Sequence, residues 1–196
     1  LVKGMKLMKR TKNIVILSHC ILNVNSKVEG LCEFGNISNR LIKYLMDNDY
    51  GIIQLPCPEL TMYGIKRWGH VKEQFDNSYY RKHCRKLFEP ILEQIEDYIN
   101  NGYKIETLIA VKGSPSCGRN LTCSSPVWGG EFMGKEDIEK KINDLKTINK
   151  PGVFMEEIEQ MLIEKNININ IIDIDEENED ITMKNITELL GKIEIK

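Results

Sequence analysis

Cys20, Cys57 and Cys117 each follow a short apolar run: Asn13-Ile-Val-Ile-Leu-Ser18, Gly51-Ile-Ile-Gln-Leu55 and Ile105-Glu-Thr-Leu-Ile-Ala-Val111. β-Branched runs of this length, closed by Ser, Pro or Gly, read as buried strands. A parallel sheet puts the ends of such strands on one edge, where open α/β folds bind their ligands. Three thiols remote in sequence are therefore expected in one cleft. Three thiolates without an obvious fourth ligand suit a metal centre with an open position, at which a substrate atom is bound and polarised. The plain alternative is three buried strand-end cysteines, since cysteine is among the most buried residue types.

The surroundings of these cysteines are unusual. Cys57 lies in Pro56-Cys-Pro-Glu59, where two prolines stiffen the backbone and remove N–H groups. Cys117 lies in Gly113-Ser-Pro-Ser-Cys-Gly118, where glycines allow a tight path and the Ser114 and Ser116 hydroxyls can hydrogen-bond a sulfur or a developing anion. Cys84 falls inside a long helical segment and reads as core, and Cys32, near a helix start, reads as buried. Cys123 is close enough in sequence to Cys117 to be a fourth ligand or a sulfur acceptor. His19 and His70 flank the expected cleft as helpers or structural residues, and His83 reads as helix surface.

The elements that must hold these residues alternate. A helix is expected over Asn36 to Asp49, an irregular loop or lid over residues 61 to 76, and a long helix from about Asn77 to Asn100 with a kink at Pro90. Residues from Gly113 to Gly134 read as a long functional loop. Then come a helix near Lys135 to Leu145, a short strand at Val153-Phe154, a helix over Glu156 to Lys165, a strand over Ile167 to Ile174 and a helix over Met183 to Leu190. Such alternation predicts one three-layer α/β domain over residues 1–196, Rossmann-like or flavodoxin-like, with a mostly parallel sheet and a basic extended segment at residues 1–12.

Composition narrows the classes. With 41% hydrophobic residues in 196, the chain can bury a core, which excludes general disorder. Lys+Arg 27 against Asp+Glu 29 is not the balance of a dedicated nucleic-acid binder, and no apolar run approaches a membrane span. A soluble cytoplasmic protein is expected, and in a reducing compartment its six cysteines read as ligands, catalysts or core rather than disulfides.

Ser18-His-Cys20-Ile-Leu22, Cys57-Pro-Glu59 and Gly113-Ser-Pro-Ser-Cys-Gly118, in this order and separation, resemble the signatures of the TudS-type thiouracil desulfidase family. The resemblance covers about residues 13 to 135. It implies that Cys20, Cys57 and Cys117 hold a [4Fe-4S] cluster whose fourth iron has no protein ligand and takes sulfur from a thiolated pyrimidine. Two segments depart from the pattern. Ser26-Lys-Val-Glu-Gly30 replaces an Arg-Tyr-Asp-Gly run, and Leu60-Thr-Met-Tyr-Gly-Ile-Lys-Arg-Trp68 replaces Gly-Gly and Pro-Arg elements. Both are expected to shape the substrate pocket, so the chain reads as a divergent branch acting on a thiolated pyrimidine or a related small molecule.

On this reading the open iron polarises a thiocarbonyl, water attacks the carbon, and sulfide is released without redox change. Glu59 is the first candidate for general base and Glu29 the second, against solvation or capping; Ser114 and Ser116 orient substrate or carry a proton, against turn stabilisation. Tyr63, Trp68 and Trp128 could stack on a pyrimidine ring or serve as local anchors. Lys66, Arg67, Lys82, Arg85 and Lys86 form a basic rim for a phosphate or a solvated face. Three alternatives remain open: a zinc-binding module completed by Cys123 or a histidine, a cluster-free persulfide enzyme working through Cys117, and a non-catalytic cluster protein.

Overall fold

The computed structural model describes residues 10–31, 36–131 and 137–191, without the side chains of 36 and 37. Cys32, the expected helix start at Lys135 and most of the basic N-terminal segment lie outside the described residues. Along the chain come β1 (Asn13–Leu17), the single turn α1 (His19–Leu22), a 3-10 turn at Val24–Ser26, α2 (Asn36–Asp47), β2 (Gly51–Gln54), α3 (Pro58–Tyr63), α4 (Lys72–Phe75) and α5 (Ser78–Asn100). After these follow β3 (Lys104–Val111), β4 (Thr122–Ser124), α6 (Ile138–Asn143), β5 (Lys146–Ile148), α7 (Val153–Glu164), β6 (Ile171–Ile174) and α8 (Glu179–Leu190).

Alternation along β1 sets the layers. Ile14 and Ile16 join a core with Phe88, Leu92 and Ile95 of α5 and Phe154, Ile158 and Leu162 of α7. Val15 and Leu17 face the other way, onto Leu41 and Leu45 of α2 and Met183 and Ile186 of α8. A strand buried on both faces carries no polar side, which is why its sequence is a continuous apolar run. The four-stranded sheet has the order β2-β1-β3-β6 and is parallel throughout. It is a three-layer α/β arrangement, as the alternation predicted. The chain passes from β1 to β2 on one side and then to β3 on the other, so the strand order reverses around β1 and opens a crevice at its carboxyl end.

The structure differs from the sequence expectation in the connections. Residues 61 to 76 are irregular only in part: α3 reaches Tyr63 and α4 spans Lys72–Phe75, with residues 64–71 between them outside any helix or strand. Pro58 at the helix start and Glu59 in the first turn are helix-initiating signals within a run that reads as a strand breaker. Val153 and Phe154 form no strand; they are the buried first turn of α7. The short strands lie instead at β4, within the expected loop, and β5, which pair antiparallel. β5 is half exposed and polar, so it has no apolar period to read. β6 begins at Ile171, and α8 starts at Glu179 with Glu179 and Asp180 in its first turn. Pro90 lies on the exposed side of α5, where the carbonyl deprived of its N–H partner can be hydrated, and the helix continues through it. No helix among the described residues is long and apolar enough to cross a membrane.

Candidate functional site

Each of the three strands that surround the crevice delivers a cysteine. Cys20 lies in α1, directly past β1. The Leu55 N–H donates to the Leu17 carbonyl at 2.8 Å, carrying the β2 ladder one step further toward Cys57. Cys57 caps α3, its Sγ accepting the Leu60 N–H at 3.4 Å. Cys117 follows β3 in a loop that is fixed by its backbone. The Cys117 N–H donates to Ser114 Oγ at 3.0 Å, and the Cys117 carbonyl accepts the Val111 N–H at 3.1 Å.

The start of α7 closes on the same loop. The N–H groups of Gly152, Val153 and Phe154 donate to the carbonyls of Gly118, Pro115 and Ser116 at 2.8, 3.0 and 3.0 Å. The amide donors that a helix N-terminus leaves unpaired are thus satisfied by the cysteine loop itself. Asp173 of β6 holds the far side, accepting the N–H groups of Arg119 and Asn120 at 2.7 and 2.8 Å. This packing leaves no room for side chains at two glycines. A Cβ on Gly118 would lie 2.2 Å from the Leu121 carbonyl oxygen, and one on Gly152 2.5 Å from the Ser116 carbonyl. Gly152→Ala is expected to cost about 2 kcal/mol of stability through forced backbone displacement, read as a lowered urea midpoint with an unchanged slope. A midpoint equal to that of the parent would show that the loop yields freely.

Burial dominates the chemistry of the three thiols. It pushes Cys20 up to about 12, opposed by Lys27 and reinforced by Glu176, Cys57 and Glu59. Cys57 is raised by burial, against the Leu60 N–H. Cys117 is raised well above an ordinary thiol by burial and then by Cys57 and Cys20. Each sulfur therefore stands within electrostatic range of another, and ionising all three requires a compensating positive charge. A cluttered pair of negative charges in a dry crevice is otherwise unfavourable. The donor set fits an iron–sulfur cluster, which supplies that charge and favours soft thiolates. Among the described residues, no group of three or more His, Cys, Asp or Glu side chains is gathered closely enough for a single metal ion. A multi-atom cluster holds its ligands further apart than one ion does. Two buried hydroxyls, Ser18 Oγ directly past β1 and Tyr80 Oη in the core cluster that includes Cys117, have no hydrogen-bond partner among the described residues and are suited to donate to sulfur.

Glu59 lies between the sulfurs and an internal cation. Its Oε1 accepts from Ser116 Oγ at 2.5 Å and its Oε2 from Arg67 Nε at 3.2 Å. Arg67 is itself 9% exposed and donates to the Ser26 carbonyl at 2.7 Å and the Gly64 carbonyl at 3.3 Å. Ser114 Oγ lies 3.3 Å from Ser116 Oγ, so a chain of hydroxyls reaches the carboxylate. Ser116 Oγ is also 3.5 Å from Cys117 Sγ. Ser114 thus stabilises the turn, while Ser116 makes a contact beyond it. Glu29 is exposed on the turn after the 3-10 segment.

The expected basic rim does not form as a unit. Arg67 is buried against Glu59, and Arg85 is paired with Glu157 and Glu164 at 3.3 and 2.5 Å, because α7 presents carboxylates to α5. Tyr63 belongs to a ring stack with His70, at 4.7 Å, that continues through Phe75 to Tyr80. Trp68 is 80% exposed, and Trp128 Nε1 donates to the Gly69 carbonyl at 3.3 Å. His19 Nδ1 is 3.1 Å from the Leu55 carbonyl, and His83 Nε2 is 2.8 Å from Thr61 Oγ1. His83 therefore joins α5 to α3 and is more than a surface residue. Cys84 is fully buried in the α5 core. Cys123 sits on β4, its thiol raised by burial and by Glu73.

The two segments that depart from the family pattern meet. Val24, Lys27, Glu29 and Gly30 from one side and Ile65 and Lys66 from the other line a groove of about 470 Å³. Lys27, one of the residues that line it, is paired with Glu176 and opposes the rise of the Cys20 thiol. Arg67 as the partner of Glu59, Asp173 as the anchor of the cysteine loop and the Gly118–Gly152 close approach were beyond sequence reasoning. Only the glycines themselves, flanking Ser-Pro-Ser-Cys and following Pro151, gave a signal.

No protein-family model matches the sequence. The chain is 38% identical over 157 residues to the uncharacterized protein MJ0003 of Methanocaldococcus jannaschii, a match that covers 77% of this chain and 97% of that protein. Among solved structures it is similar to the [4Fe-4S]-dependent thiouracil desulfidase TudS (DUF523Vcz), with a TM-score of 0.48 and 15% identity over 90% of this chain and 99% of that one.

Proposed function

This chain belongs to the family of the Methanocaldococcus jannaschii protein MJ0003, and from that premise we propose that it is an iron–sulfur-dependent desulfidase acting on a small thiocarbonyl compound. The observation that carries the reading is the placement of two buried thiols, Cys57 and Cys117, and the half-buried Cys20 past three adjacent parallel strand ends, beside a fixed carboxylate. The three signature motifs support it from the sequence side. Cys20, Cys57 and Cys117 hold a [4Fe-4S] cluster. When bound, the cluster supplies an iron without a protein ligand, a Lewis acid for the sulfur of a thiolated pyrimidine or related ring.

The rest of the work falls to side chains. Arg67 and Ser116 hold the Glu59 carboxylate in one orientation. Attacking water gives up its proton through Ser116 Oγ to Glu59 Oε1, the short contact between them being the path. Ser114 keeps Ser116 and the Cys117 backbone in register. The thiocarbonyl carbon gains oxygen from water and loses sulfur as sulfide, so no electrons are exchanged. The groove between Val24 and Lys66 receives the remainder of the substrate, with Glu29 at its rim. A cluster-free persulfide enzyme needs an acidified, accessible thiol; burial of Cys117 works against that.

The test is anaerobic reconstitution followed by iron and acid-labile sulfide analysis, then sulfide release from thiolated bases, nucleosides and nucleotides. Stoichiometric cluster and turnover of at least one class are expected. Colourless protein carrying zinc, or turnover by protein free of iron, would overturn the reading.

A further inference from the structure

Tyr80 carries a hydroxyl that its surroundings do not use. Its backbone N–H donates to the capping Asn77 side chain at 3.0 Å. Its ring lies on Phe75 at 4.4 Å and 7°, so the phenol has little freedom to swing away. The side chain is 1% exposed, and the hydroxyl meets no hydrogen-bond partner among the described residues. Leaving a buried hydroxyl unpaired costs about 1–3 kcal/mol, and a phenylalanine would fill the same space without that cost. Tyr80 and Cys117 share one core cluster. The phenol is held far from ionisation by burial and by Cys84, Glu59, Cys117 and Cys57. Of these, Glu59 already accepts from Arg67 and Ser116. Cys84, four residues along α5, makes no hydrogen bond with it either, which leaves a sulfur of a group at Cys57 and Cys117 as the acceptor.

We propose that Tyr80 is a positioning residue whose phenol donates a hydrogen bond to a sulfur of the group held by Cys57 and Cys117. The inference rests on the iron–sulfur reading above and adds to it a residue outside the three motifs. It gives the protein opposite needs in its two states. Without the group the hydroxyl is a burden; with it the hydroxyl is a donor that stabilises negative sulfur. Hydrogen bonds to cluster sulfurs also raise the reduction potential.

The experiment compares the full-length parent, Tyr80→Phe and Tyr63→Phe, each as apoprotein and after anaerobic reconstitution. Apo Tyr80→Phe is expected to match or exceed the urea midpoint of the parent. Reconstituted Tyr80→Phe is expected to lose iron to a chelator roughly tenfold faster, the loss of about one hydrogen bond, and to show a more negative reduction potential. Tyr63→Phe, removing an exposed phenol whose ring lies 6.3 Å from that of Tyr80, should match the parent in iron loss and potential. Equal iron loss and equal potential in Tyr80→Phe and parent would overturn the inference while leaving the desulfidase reading in place. So would an apo Tyr80→Phe destabilised as much as the loaded form, since its hydroxyl would then have a partner inside the protein. A parent that takes up no iron and sulfide would remove both.

Discussion

Alanine at Cys20, Cys57 or Cys117, one at a time, is expected to reduce bound iron and acid-labile sulfide to background after anaerobic reconstitution. Cys84→Ala and Cys123→Ala should load as the parent does. The contrast follows from position. The first three thiols come from adjacent strand ends and act on one another. Cys84 is sealed in the core under α5, and Cys123 sits on β4 beside Glu73. Loss of loading should not be loss of folding. The Cys117 loop is held by amides of α7 and by Asp173, none of which involves its sulfur. Circular dichroism and the urea midpoint of each apo variant check this, and full loading of any two of the three variants would break the ligand assignment.

Glu59→Gln is expected to abolish turnover and also to destabilise the apoprotein by about 3 kcal/mol, because a buried guanidinium loses its counter-charge. Arg67 is 9% exposed and Glu59 8%, so water offers little compensation. Arg67→Met should cost a similar amount by stranding the carboxylate. The double variant Glu59→Gln/Arg67→Met should recover much of that stability, since a pair replaced as a unit leaves no isolated charge. It should recover no activity. Urea unfolding of the four proteins and sulfide release from the reconstituted ones separate the two roles. Turnover by the double variant above a hundredth of the parent rate would show that Glu59 does not move the proton, given the usual contribution of about 100-fold or more from general base catalysis.

Layering was legible because β1 and β3 are buried on both faces and carry an unbroken apolar sequence, and because strand and helix patterns alternate. The positions of Cys20, Cys57 and Cys117 relative to strand ends follow from those same runs. What stayed hidden has common causes. β4 and β5 are three residues each and partly exposed, too short for a period to register. Val153 and Phe154 are apolar because both sit under the sheet, and β-branched and aromatic residues after Pro-Gly imitate a strand. The Glu59–Arg67 pair spans a helix and a turn, a path that residue spacing does not encode. Tyr80 looks like any aromatic near a helix start; only its unpaired hydroxyl distinguishes it.

The groove between Val24 and Lys66 is built from connections other than the one that carries Cys117. That connection is bolted to β6 and α7, whereas the groove walls hang from the turns after α1 and α3. Substitutions at the exposed Glu29, Ile65 and Lys66 leave the hydrogen bonds that anchor the Cys117 loop untouched. Such an architecture separates a rim that is free to vary from the bolted connection behind it.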